Sequence, residues 1–196
     1  MRKTDEGQGM SNLRSVCVYC GASGEVRPDY IALAEQLGRE LAKRDIRLVY
    51  GGGGVGLMGA CARAAHESAG DVLGIMPRFL LEKERMYQDV EHRIVEDMHT
   101  RKQMMFDEAD AFIVLPGGIG TLEEAVEILS WARLGLHAKP MAFLDEDGFW
   151  APFFELMSHI IDGKFTPESF RAALVHSDTP EKAIDALCER IVMLGQ

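Results

Sequence analysis

Short, almost wholly apolar runs recur along the chain, each followed by a longer stretch in which apolar positions return at helical spacing. Ser15-Val-Cys-Val-Tyr-Cys20, Ile46-Arg-Leu-Val-Tyr50, Val72-Leu-Gly-Ile-Met76, Ala111-Phe-Ile-Val-Leu115 and Pro140-Met-Ala-Phe-Leu144 are such runs. Their length and lack of polar alternation predict strands covered on both faces. His92-Arg-Ile-Val-Glu96 predicts a further strand, and Ala173-Leu-Val-His176 an edge strand. Ile31, Ala34, Leu37 and Leu41 form one stripe of a helix from Pro28 to Arg44, with the proline near its start, where it is tolerated. Further helices are predicted from Ala60 to Ser68, from Asp97 to Glu108, from Thr121 along Leu122, Ala125, Val126, Leu129 and Ala132, and from Phe149 to Ile161. A short helix follows Thr166-Pro167, and Thr179-Pro180-Glu181 starts the last one. Strict alternation of strand and helix predicts an α/β fold, a Rossmann-like doubly wound parallel sheet in a single domain spanning 13–196. Its ligand crevice should open at the carboxyl ends of the strands. Residues 1–12 are polar and glycine-containing and are expected to form a disordered tail.

Composition narrows the function classes. The 196 residues carry 21 Lys+Arg against 31 Asp+Glu, a net charge of −10, which argues against a nucleic-acid polymer or an anionic membrane as partner. The sequence contains neither a membrane span nor the apolar core of a signal peptide, so a cytoplasmic protein is expected. Cys17, Cys20, Cys61 and Cys188 are too scattered for a disulfide framework, and Cys17-Val-Tyr-Cys20 lies inside a strand, where packing explains it better than redox chemistry or zinc. No spacing of acids or histidines marks a metal site, and no cofactor is expected.

Glycine marks the candidate chemistry. In Pro116-Gly117-Gly118-Ile119-Gly120-Thr121-Leu122-Glu123-Glu124, a strand gives way to a bend without Cβ atoms and then to a helix. Such a bend lets backbone N–H groups approach an anion at the positive end of the helix dipole. Two carboxylates follow directly, although Thr121-x-x-Glu124 also spells a capping box, in which both side chains serve the helix start. A second glycine run, Gly51 to Gly59, contains Gly54-x-Gly56-x-x-Gly59, the spacing of a dinucleotide fingerprint. The next strand ends in Pro77-Arg78 and lacks the acid that would bind the ribose, so a dinucleotide oxidoreductase is disfavoured. Gly21-Ala22-Ser23-Gly24 is a third loop of small residues at the same edge. Arg101 and Lys102 stand near a helix start, against its dipole, although two solvated basic residues on an exposed face are the commoner arrangement. His99 reads as a hydrogen-bonded structural histidine, and the charged, aperiodic stretch 78–91 as a surface excursion that lids the pocket or meets a partner.

Met98-His-Thr-Arg101-Lys102, Ala109-Asp110-Ala-Phe, Pro116-Gly-Gly-Ile-Gly-Thr121-Leu-Glu-Glu124 and Tyr50-Gly-Gly-Gly-Gly-Val-Gly-Leu-Met-Gly59 together closely resemble the LONELY GUY (LOG) family, often labelled possible lysine decarboxylases. No local context marks a pyridoxal-phosphate lysine. The resemblance implies a phosphoribohydrolase that cleaves a nucleoside 5′-monophosphate, typically of a cytokinin riboside, to free base and ribose 5-phosphate. It places the catalytic pair on Arg101 and Glu124 and the nucleotide on Lys102, Gly117, Gly118, Gly120, Thr121 and Glu123; the other two small-residue loops add Ser23, Gly53 and Gly54 as candidate phosphate-binding residues. It also implies a homodimer, to which the apolar helix 149–161 is suited. Ile119 departs from the tyrosine usual in plant members, and the segment from Phe79 to Glu91, with Glu82 and Glu84, departs in length and sequence. The rival readings are a broader AMP or nucleotide nucleosidase and a regulatory module that binds nucleotide without turnover.

Overall fold

The computed structural model describes residues 13–81 and 85–194; the expected tail at 1–12 and any role for Glu82 or Glu84 lie outside the described residues. Among the described residues, strands β1 (Ser15–Tyr19), β2 (Arg47–Tyr50), β3 (Val72–Pro77), β4 (Glu91–Val95), β5 (Ala111–Val114), β6 (Met141–Leu144) and β7 (Val175–Ser177) form one sheet. The order is β4-β3-β2-β1-β5-β6-β7 and every strand pairing is parallel. The chain moves outward from β1 to β4, then crosses back to start again at β5 on the other side of β1. Loops leaving β1 and β5 therefore diverge, and a crevice opens between their carboxyl ends.

The helices are α1 (Pro28–Lys43), α2 (Gly56–Glu67), α3 (Met98–Asp107), α4 (Ile119–Arg133), α5 (Ala151–Asp162) and α6 (Pro180–Leu194). Alternation along β1 divides them between two layers. Val16, Val18 and Cys20 join the core formed with α1, α2 and α6, while Cys17 and Tyr19 join the core formed with α3, α4 and α5. Cys17 and Cys20 thus point to opposite faces, which removes any pairing between them and leaves packing as their role. Burial on both sides explains why β1, β2, β3, β5 and β6 carry so few polar residues, whereas the edge strand β4, Glu91-His-Arg-Ile-Val95, is polar and only partly buried.

The helix expected over 149–161 runs from Ala151 to Asp162 and buries one narrow face. Phe153 and Ile161 are buried, and Trp150 and Phe153 pack on Phe143 at centroid distances of 5.3 and 5.0 Å. Leu156 and Phe149 remain at the surface. In α4 the buried face runs through Thr121, Glu124, Ala125, Ile128 and Leu129, while Val126, expected on the apolar stripe, is exposed. A glutamate therefore occupies a core-facing position that helical spacing alone would give to an aliphatic residue.

Candidate active site

The helix at the glycine bend begins two residues before the expected start. Gly118 is the N-cap of α4 and no side chain caps it, so Thr121 is already the third helical residue. The capping-box reading fails on this register, and Glu124 does not serve the helix start. Gly117 is required for packing, since a Cβ there would collide with the Thr121 side chain. Gly118 and Gly120 differ, because a Cβ at either meets nothing within 4 Å. The N–H groups of Ile119, Gly120 and Thr121 in the first turn have no partner within the helix. Behind the bend, Gly21 N–H donates to Pro116 O at 3.0 Å, joining the loops that follow β1 and β5. A cleft of about 250 Å³ lies here, lined by Gly21, Ala22, Gly118, Gly120, Thr121 and Glu123, among others, with Arg101 and Glu124.

Arg101 and Glu124 are both nearly inaccessible, at 6% and 8% exposure. Asp97 caps α3 by accepting the Thr100 N–H at 2.8 Å, and this start directs Arg101, in the fourth position, towards the sheet. Its Nε donates to Ile75 O at 3.2 Å and its Nη2 to Gly51 O at 3.4 Å. Its Nη1 lies 3.8 Å from Met98 Sδ and 3.7 Å from Glu124 Oε1. The last distance is ion-pair contact without a direct hydrogen bond. Burial pushes the Glu124 carboxyl up to about 7, opposed by Arg101 and Lys102 and assisted by Glu123 and Glu127. A carboxyl poised near neutrality beside a fixed guanidinium can hold or take a proton and can face a developing cation.

The reading of Arg101 and Lys102 as solvated surface cations is overturned. Lys102 donates from Nζ to Glu123 Oε1 at 2.7 Å and to Glu127 Oε1 at 3.0 Å, tying α3 to α4. It does not line the cleft, and neither do Gly117, Ser23, Gly53 and Gly54. The Ser23 hydroxyl accepts the Glu25 N–H at 3.2 Å within an exposed turn. His99 is exposed in the first turn of α3, and its expected structural hydrogen bond is not seen among the described residues.

The second glycine loop is filled by protein. Gly53 pairs with Met86 in an isolated antiparallel bridge, and Gly54 N–H donates to Arg85 O. Tyr87 stacks edge-on against His66 of α2 at 5.9 Å. The excursion after β3 thus folds back over this loop, answering at 85–87 the question of what it covers. Gly56 adopts φ +64 and packs against the loop after β1, and a Cβ at Gly59 would collide with the Gly54 backbone. These glycines let chain segments approach each other.

Cys20, Met58 and Met98 also line the cleft. They were not among the expected site residues, although Met58 and Met98 lie inside the quoted motifs and Cys20 adjoins the Gly21-Ala22 loop. A larger hollow of about 700 Å³ lies at the opposite edge, against the first residues of β6 and β7. It lies away from the carboxyl ends of the strands, and His137 and Lys139 in its wall are already engaged: His137 bonds Ile128 O and the Lys139 N–H, and Lys139 Nζ donates to Phe106 O. Among the described residues, no group of three or more His, Cys, Asp or Glu side chains is arranged to hold a metal ion, and no helix is long and apolar enough to cross a membrane.

Known proteins resemble this chain in sequence and in fold. The family described as "Possible lysine decarboxylase" matches residues 58–187. The cytokinin riboside 5′-monophosphate phosphoribohydrolase LOG of Oryza sativa subsp. japonica is 41% identical over 186 residues, covering 94% of this chain and 77% of that one. LOG7 of Arabidopsis thaliana, a protein of the same described activity, is 41% identical over 180 residues, covering 91% and 83%. Among solved structures, the molybdenum cofactor binding protein of Rippkaea orientalis superposes with a TM-score of 0.69 at 21% identity, covering 93% and 99%. That likeness concerns the fold.

Proposed function

Since the chain belongs to the LONELY GUY (LOG) family, we propose that it hydrolyses the N-glycosidic bond of a nucleoside 5′-monophosphate, of the cytokinin riboside class, to free base and ribose 5-phosphate. The observation that carries this reading is the buried Arg101–Glu124 pair in a cleft bordered by the open start of α4. The free N–H groups of that first turn suit the 5′-phosphate, which they would hold away from the reacting bond. The bond from C1′ to the base nitrogen breaks with its electron pair going to the base, and the sugar passes through an oxocarbenium-like state. Glu124, as carboxylate, faces that charge and takes a proton from the water whose oxygen bonds to C1′; the departing base nitrogen takes a proton from solvent, and Glu124 returns its own to solvent. Arg101 orients the nucleotide and favours negative charge on the departing base. A guanidinium is a poor proton donor, so its part is electrostatic.

The protein is further proposed to act in the cytoplasm as a homodimer. Ile119, 83% exposed, and Val126 are exposed apolar side chains on one side of α4 beside the cleft, which supports an interface there; light scattering measures the stoichiometry.

The test is direct. AMP, CMP and isopentenyladenosine monophosphate are supplied separately to the purified protein, and base and ribose 5-phosphate are expected from at least one of them. The ratio of turnover on AMP to that on the isopentenyl nucleotide then separates a broad nucleosidase from a cytokinin enzyme. Nucleotides that bind but remain intact would instead mark a regulatory module.

A further inference from the structure

Gly51 lies outside the cleft, yet its environment is set by Arg101. Its φ is outside the left-handed region, so the backbone does not demand glycine. Space does: a Cβ there would fall far inside van der Waals contact of Arg101 Nη2, within 3.3 Å of Arg101 Cζ and 3.1 Å of Met58 Sδ. The Gly51 carbonyl accepts from the same Nη2, and the Ile75 carbonyl takes Nε. The rear edge of the guanidinium is thus seated on two backbone carbonyls in the volume a side chain at 51 would occupy. Nη1 is left directed at Glu124.

We propose that Gly51 is a positioning residue for Arg101, and that the loop after β2 serves the reaction by supplying a slot for this guanidinium, with no phosphate contact of its own. The inference rests on the catalytic reading of Arg101 above. It gives the second glycine run a chemical purpose that its fingerprint-like spacing conceals. The obstructed atoms sit at the end of a flexible side chain, so the chain yields to a methyl group at 51 by moving Arg101, and the fold itself is little disturbed.

Gly51→Ala is the experiment. A misplacement of about 1 Å at a catalytic group costs on the order of 10²-fold, so kcat is expected to fall by about that factor while KM changes less than threefold and Tm stays within a few degrees. In an Arg101→Lys background no Nη2 enters the slot, and adding Gly51→Ala there should lower the remaining rate by less than about threefold. A crystal structure of Gly51→Ala should show Nη2 displaced from the Gly51 carbonyl. Wild-type kcat in Gly51→Ala, an unmoved Arg101, or a full further loss in the Arg101→Lys background would each overturn the proposal. Should the wild type cleave no nucleotide, the catalytic reading fails by itself, and the crystallographic displacement still decides whether the slot exists.

Discussion

Two glycine-rich turns leave strands at the same edge of the sheet and each opens a helix, but they do opposite things. The loop from Gly51 to Gly59 is held by protein partners: Gly54 N–H is bound to Arg85 O, Met58 N–H to Gly21 O at 3.3 Å, and Gly59 lies against Gly54. The loop from Pro116 to Gly120 leaves Gly118 and Gly120 facing open space and the first-turn donors of α4 without helical partners. The sixth residue of each helix makes the contrast sharper. In α2 it is Cys61, buried in the core; in α4 it is Glu124, also buried but facing a guanidinium and a cleft. Glycine before a helix therefore signals close approach, and what approaches is decided by the rest of the fold.

The largest expected effect is on the open side. Glu124→Gln keeps the shape of the side chain and removes its charge, so nucleotide binding should persist while kcat falls by about 10²–10⁴-fold. Isothermal titration together with steady-state assays checks both. If the variant turns over normally, α4 is no more catalytic than α2 and the contrast collapses. In the wild type, kcat/KM should climb as pH rises through about 7, where the Glu124 carboxyl loses its proton.

The same substitution has a stability signature of opposite sign. The folded carboxyl titrates at about 7 against an ordinary value of 4.5, so the native state holds the proton more tightly than the unfolded chain. That contribution is complete below pH 4.5 and is lost as pH rises through 7. At about pH 8 the wild type should be less stable than Glu124→Gln by on the order of 3 kcal/mol, and the gap should close on acidification. Denaturant titrations of both proteins at about pH 4.5 and about pH 8 measure it. Cys61→Ser, at the matching position of α2, should show no such pH-dependent gap over this range.

How far the site was legible in the sequence follows from the same contrast. The strands could be read because burial on two faces leaves them apolar, and their alternation with helices implied a parallel sheet and hence the edge that holds ligands. Arg101 and Glu124 were accessible through their motifs. Their burial was not, because helical spacing treats a glutamate as a surface residue and two adjacent basic residues as a solvated face. Thr121 and Glu124 match a capping box in spacing, and only the start of α4 at Ile119 shows that neither acts as a cap. Gly53 and Gly54 were expected at the ligand because glycine spacing records close approach without naming the partner; Arg85, Met86 and Tyr87 fill that place. Met58 and Met98 lie inside the quoted motifs, but it is tertiary packing that brings them to the cleft.

A matched pair of alanine substitutions gives smaller and more discriminating effects. Gly59 is the fourth residue of α2 and Gly120 the second of α4, so alanine should favour both helices by up to about 1 kcal/mol. At 59 that gain is overwhelmed, because the added methyl meets the Gly54 backbone, which cannot rotate away as a side chain can. A net loss of roughly 1–3 kcal/mol is expected there, visible as a lowered Tm. At 120 nothing obstructs the methyl, so the fold should be unchanged or slightly more stable. The methyl would stand instead where a phosphate approaches the first turn, raising KM by about three- to tenfold, up to about 1.4 kcal/mol, with kcat nearly unchanged, the pattern of lost uniform binding. A destabilised Gly120→Ala with normal KM would mean that the loop from Pro116 to Gly120 is as fully occupied by protein as the loop from Gly51 to Gly59, leaving α4 without an anion site.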